Sequence, residues 1–196
     1  MICRCAWAEA SELERVYHDT EWGVPLHEDR ALFEFLILEG AQAGLSWRTV
    51  LARRENYRAA LDNFEPARLV TWPVAAQLNL VNHAGLIRHR LKLQSIFTNA
   101  AAFLRIQEEY GSFDAYLWPF VGGKPQQPTR QSVADVPAVS AEATAFSRDL
   151  SRRGFKFVGP RICYAYMQAV GMVNDHTVDC FRFRELSCDK RPPSQA

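Results

Sequence analysis

Apolar residues recur at helical spacing along nearly the whole chain, and strict alternation is almost absent. Leu32-Phe33-Glu34-Phe35-Leu36-Ile37-Leu38 is apolar nearly all round and predicts a buried helix, capped by Glu28 or Asp29 and ending near Glu39. Gly40-Ala41-Gln42-Ala43-Gly44 breaks that pattern. Behind Ser46, the positions Val50, Leu51, Tyr57, Ala60 and Leu61 predict one helix over 47–63. Ser11 with Glu14 reads as a capping box for a helix over 12–18. Pro66 and Pro73 sit where helices over 66–71 and 73–82 would begin. A long helix is predicted over 88–110, with Gly111 just past its end, and Ser112 caps a short one through about 120. Ser140 starts a helix over 141–153, and Gly171 closes another over 161–170. The fold class is therefore all-α, with about ten helices joined by short connections. Pro125, Pro128 and Pro137 punctuate a segment, 121–139, that has no helical period and reads as a surface loop. Residues 1–186 form one expected domain, and the polar tail from 187 is expected to be disordered.

Composition narrows the class. A chain of 196 residues, 48% apolar, can bury a substantial single core. Its 23 Lys and Arg against 22 Asp and Glu leave a net charge of +1, so any hold on nucleic acid must rest on a local patch. Five cysteines without an apolar leader argue against a disulfide framework and for a soluble, reduced, cytoplasmic protein. The apolar stretch over 31–51 carries Glu34, Glu39 and Arg48 and is not a membrane span.

Candidate chemistry gathers in GFKFVGPRICYAYMQAVGMVNDHTVDC at 154–180. Gly154 ends the preceding helix, and Val158-Gly159-Pro160 makes a tight connection into the next. A glycine-containing hairpin that opens a helix presents free backbone N–H groups able to hold a phosphate. Arg152, Arg153, Lys156 and Arg161 place positive charge around it, and Arg88, His89, Arg90 and Lys92 form a second basic cluster. His176 and Cys180, four apart, would share one face of a helical turn and supply half of a tetrahedral metal site. His18 and either Cys5 or Cys3 could complete it. Four protein ligands leave no open position, so such a metal would be structural. Trp7, Tyr17 and Trp22 are three large rings close in sequence, suited to core packing or to a pocket. Glu39 is either a surface group at a helix end or an acid in an apolar site. Desolvation would raise its pKa, whereas a bound cation would lower it.

These residues fall within long strings: Cys5-x-Trp7, YHDTEWGVP at 17–25, LEGAQAGLSW at 38–47, RRENYR at 53–58, AGLIRHRLK at 84–92 and RGFKFVGPRICYAYMQAVGMVNDH at 153–176. Together they resemble the DNA-3-methyladenine glycosylase I family of helix-hairpin-helix DNA glycosylases, over roughly 3–183. The resemblance implies that fold, with a structural zinc clip on Cys5, His18, His176 and Cys180 joining the two ends of the chain. It also implies a pocket of Glu39, Tyr17, Trp47, Trp22 and Trp7 for the methylated base. The implied activity is release of free 3-methyladenine from double-stranded alkylated DNA by a monomer, with no membrane partner. Gln42, Gly44 and Leu45 would fill the gap left by the extruded base, while Lys156, Gly159 and Arg161 would grip phosphates. Many helix-hairpin-helix glycosylases use an aspartate after the hairpin helix. Here Asp175 lies in that region beside an implied zinc ligand, and the resemblance points to Glu39 instead. Lys156 reads as a phosphate contact rather than a nucleophile, so simple hydrolysis without a Schiff base is expected.

Overall fold

A computed structural model describes residues 2–187. The tail expected to be disordered lies, from 188 on, outside the described residues.

Among the described residues there are eleven α-helices and no strand; two isolated parallel bridges, Gln126 with Val173 and Arg130 with Thr177, are the whole of the β structure. The helices are α1 (Glu12–Thr20), α2 (Asp29–Gln42), α3 (Trp47–Leu51), α4 (Arg54–Ala60), α5 (Pro66–Leu69) and α6 (Val74–Asn79). They continue with α7 (Arg90–Tyr110), α8 (Phe113–Leu117), α9 (Ala141–Arg152), α10 (Pro160–Ala169) and α11 (Phe181–Glu185). No helix among them is long and apolar enough to cross a membrane.

The centre of the fold is α2. Every residue from Leu32 to Ala41 is buried, and the helix packs against α3, α7, α8 and α10. An all-round apolar sequence demands such a position. Two carboxylates fall within the run, Glu34 and Glu39, and that of Glu34 accepts from Arg54 and Arg58. Arg54 also reaches Glu21, so this buried charge is fully paired. Caps act where the sequence places them. Glu28 accepts from the N–H groups of Arg30 and Ala31, and Ser11, Ser46, Ser112 and Ser140 each cap the helix that follows. Gly111 takes φ +86° at the end of α7.

Three boundaries differ from expectation. The helix ending near Glu39 continues through Gln42. Gly40 does not break it: it is buried inside the helix, and a β-carbon there would be in ordinary contact, 3.5 Å, with the β-carbon of Phe157. The single helix over 47–63 is interrupted at Ala52 and Arg53 and closes at Asp62–Phe64, where three successive residues have positive φ. Apolar spacing does not register a break that leaves the same face inward on both pieces. His176 and Cys180 lie in an extended segment and the turn after it, with Cys180 N–H bonded to the Thr177 carbonyl, rather than on a helical turn. Bridges to the 121–139 loop occupy that backbone instead.

Candidate functional site

The two ends of the chain meet at a buried cluster of Cys5, His18, His176 and Cys180, whose ligand atoms all lie within 4.8 Å of one another. His18 Nε2 and His176 Nδ1 are 3.2 Å apart. Cys180 Sγ is 3.4 Å from His18 Nε2 and 3.5 Å from His176 Nδ1, and Cys5 Sγ is 3.6 Å from His176 Nδ1. A tetrahedral ion with bonds of about 2.0–2.1 Å to nitrogen and about 2.3 Å to sulfur requires edges of roughly 3.3 Å between nitrogens and roughly 3.5 Å between nitrogen and sulfur. The donor set fits that figure. The outer nitrogens are oriented as well: His18 Nδ1 meets Asp19 Oδ1 at 2.8 Å, and His176 Nε2 meets the Trp22 carbonyl at 3.1 Å. Thr177 N–H donates to Cys5 Sγ. Mutual contact holds Cys180 low and pushes Cys5 up. Cys3 is exposed and points to Asp179, outside the cluster. Gly23 is required here: at φ +81°, a β-carbon would stand 3.0 Å from His176 Nε2.

Cys5 alone of the cluster borders a cavity of about 300 Å³, lined also by Trp7, Tyr17, Trp22, Glu39 and Trp47 among others. Trp7 stands edge-on to Trp22 at 5.0 Å between centroids, and Tyr17 is tilted against Trp47 at 5.3 Å. Glu39 projects from the last full turn of α2. Only 3% of it is exposed, and among the described residues it accepts no hydrogen bond and its Oε2 is buried without a partner. Desolvation alone pushes its pKa up to about 8. Burial likewise raises Tyr17, reinforced by the nearby Glu39 charge. Trp47 Nε1 is a second buried polar atom with no partner. An apolar, ring-lined cavity holding an unmet acceptor and an unmet donor is built to receive a flat polar molecule.

Sequence reasoning misses one side of this cavity. Val133 and Val136, from the 121–139 loop, complete its lining with Gln168, Asp175 and Thr177. The loop is strapped down by Arg130, whose Nε donates to Asp175 at 2.8 Å, and by backbone bonds to Met172 and Asn174. The Asp175 carboxylate also accepts from the Tyr164 hydroxyl and the Gln168 amide, so it is fully engaged. Nothing in a loop without periodicity signals that its valines border a cavity.

Gln42 ends α2 beside the cavity, and Gly44 and Leu45 are exposed in the turn that follows, Gly44 at φ +81°. The turn between α9 and α10 leaves Lys156, Gly159 and Arg161 exposed, and neither basic side chain makes an ion pair among the described residues. Arg152 and Arg153 do not add free charge there. Arg152 pairs with Asp149, while Arg153 pairs with Asp149 and Glu109 and packs on Tyr110 and Tyr116. Of the second basic cluster, Lys92 turns inward to backbone carbonyls.

The family model for methyladenine glycosylase matches residues 7–183. The chain is 45% identical over 177 residues to DNA-3-methyladenine glycosylase 1 of Escherichia coli (strain K12), covering 90% of this chain and 95% of that protein. A crystal structure of 3-methyladenine DNA glycosylase I superposes with a TM-score of 0.89 at 46% identity, over 91% of this chain and 98% of that one. A variant of 3-methyladenine DNA glycosylase I, solved in complex with 3-methyladenine, superposes with a TM-score of 0.88 at 36% identity, over 91% and 96% of the two chains.

Proposed function

The chain belongs to the methyladenine glycosylase family, and from that premise we propose that it hydrolyses the N-glycosidic bond of 3-methyladenine in alkylated duplex DNA, releasing the base and leaving an abasic site. The observation that carries this reading is Glu39, an unpaired carboxyl group buried in an aromatic cavity of about 300 Å³. Methylation at N3 makes the attached purine a cation and weakens its bond to the sugar. Trp47, Tyr17, Trp7 and Trp22 offer ring faces to that charge, and Glu39 accepts from the amino edge of the base. The cation is the partner that ionised Glu39 lacks in the empty pocket. Unmethylated adenine carries no charge to offset the desolvation of the carboxylate, so it gains less. Bond cleavage sends the electron pair into the base, and water adds to the sugar carbon. Because the bond is already weak, orientation of the base supplies much of the acceleration. Asp175 also borders the cavity, where Arg130 donates to its Oδ1 and Tyr164 and Gln168 to its Oδ2.

The target base lies inside a duplex, so it is extruded to reach the cavity. Gln42, Gly44 and Leu45 fill the vacated stack, while Lys156, Gly159 and Arg161, in a helix-hairpin-helix motif, hold the backbone. Cys5, His18, His176 and Cys180 hold one zinc, whose part is to join the two ends of a single domain over 1–186 and so bring Trp7 and Tyr17 to Glu39. The protein acts as a cytoplasmic monomer.

The test is incubation with methylated duplex DNA and identification of the product. Free 3-methyladenine and an uncut abasic strand are expected, with a slower release by Glu39→Gln. Release by that variant at the wild-type rate, or a protein–DNA adduct trapped by borohydride, refutes the reading.

A further inference from the structure

One helix holds both of the exposed elements assigned to DNA. Lys92, two residues into α7, donates from Nζ to the carbonyls of Ala41 and Ala43. The terminal carbonyls of α2 lack helical partners. Lys92 occupies two around this turn, and the Leu45 N–H takes that of Gln42. Every carbonyl from Ala41 to Ala43 is therefore tied, and the turn carrying Gln42, Gly44 and Leu45 is fixed in place although its side chains are exposed. Two turns further along α7, Asn99 faces the other element. Its Oδ1 accepts from Lys156 N–H at 2.8 Å, and its Nδ2 donates to the Lys156 carbonyl at 3.1 Å. Asn99 is 3% exposed, so this two-point clasp operates out of water. The clasp fixes the peptide groups of Lys156 and leaves its ammonium outside.

The next residue explains why a clasp is needed. Phe157 has φ +57°, a left-handed conformation that strains a residue carrying a β-carbon. Its ring meets His89, which caps α7, and its β-carbon lies against Gly40, the residue after Glu39. The hairpin, the turn after α2 and the start of α7 thus share one small contact region, lined by Gly40, Ala41, Lys92, Asn99 and Phe157.

We propose that Lys92 and Asn99 are positioning residues that keep the stack-filling turn in register with the phosphate-holding hairpin, so that a paired lesion is extruded into the cavity. The inference rests on the proposed activity. Neither residue lines the cavity, so neither acts on a base already inside it. Their contribution appears where the duplex must be opened.

The test compares wild type with Lys92→Met, Lys92→Arg and Asn99→Asp. The substrate is an oligonucleotide with one methylated adenine, annealed to its complement or to a strand with an abasic analogue opposite the lesion. An unpaired lesion costs less to extrude. Single-turnover release from the paired lesion should fall at least tenfold in Lys92→Met and Asn99→Asp. Release from the unpaired lesion and binding of free 3-methyladenine should stay within about threefold. Lys92→Arg, which keeps donors at the turn, should recover most of the paired rate. Equal loss on both substrates, or no loss on either, overturns this inference alone. No release by wild type from either substrate overturns the activity and this inference with it. Asn99 is buried, so if Asn99→Asp does not fold, the Lys92 pair decides.

Discussion

Glu39→Gln should make the empty protein more stable, by an amount that grows with pH. In the unfolded chain this carboxyl ionises near 4.5, whereas in the folded cavity burial pushes its pKa up to about 8. Between those values the folded state keeps a proton that the unfolded state has lost. Stability then falls as pH rises, at up to roughly 1.4 kcal/mol per pH unit. The full effect, reached above pH 8, is on the order of 5 kcal/mol. That figure is a ceiling, because water entering the cavity would solvate the carboxylate. Glutamine removes the titration and keeps the shape. The difference in unfolding free energy between variant and wild type should therefore be small at pH 5 and widen by a few kcal/mol at pH 8. Urea denaturation at pH 5, 6, 7 and 8, without DNA or base, measures it. A difference that stays flat across that range means that Glu39 is ionised in the empty pocket, and the account of an acid waiting for a cation fails. The same linkage gives a sign for binding. A cationic base that favours ionised Glu39 displaces its proton, so affinity rises with pH toward 8 in wild type and not in Glu39→Gln.

Two other expectations follow from the geometry. Purified protein should contain about one zinc per chain, and Cys180→Ala should lower the melting temperature far more than it changes the preference for methylated over unmethylated adenine; a metal-free preparation with an unaffected variant refutes the clip. Replacing Lys156 or Arg161 with Ala should weaken binding to all DNA sequences and reduce the salt dependence by about one unit per lost contact, and an unchanged slope in both places the DNA elsewhere.

The helical class, the caps and the buried course of α2 are legible because they rest on local chemistry. Serine and glutamate side chains satisfy the first N–H groups of their own helices, and an all-round apolar stretch has nowhere to go but the centre. Junctions are less legible, since their causes lie elsewhere in the chain. Gly40 reads as a breaker, yet it lies inside a helix buried on every side, with Phe157, more than a hundred residues later, packed against it. His176 and Cys180 meet at ligand distance without the helical turn that their spacing suggests, because the 121–139 loop has claimed the backbone between them. Glu39, Tyr17, Trp47, Trp22 and Trp7 line one cavity, and Cys5, His18, His176 and Cys180 form one cluster beside it. Val133, Val136 and Arg130 sit in a stretch whose pattern signals only loop. Their place depends on Asp175, whose buried carboxylate needs a cation and finds it there.

That dependence bears on how the site is assembled. The cavity has a wall from each end of the chain and one from the loop, and each wall is held by a polar group with no water to turn to. Trp7 and Tyr17 belong to segments carrying Cys5 and His18, so the cluster that ties them to His176 and Cys180 also sets their distance from Glu39. Val133 and Val136 are placed by Arg130 on Asp175, the neighbour of His176. Glu39 comes from α2, which is fixed by burial and by the Glu34–Arg54 pair. Loss of any one tie would move a whole wall rather than one side chain. Under the proposed activity the cavity tells a methylated cation from a neutral purine, which requires its rings and carboxyl group at fixed distances, because a cation–π contact and a buried hydrogen bond both weaken steeply with displacement. The buried ion pairs contribute little net stability after desolvation. What they supply is a geometry that apolar packing alone would leave adjustable.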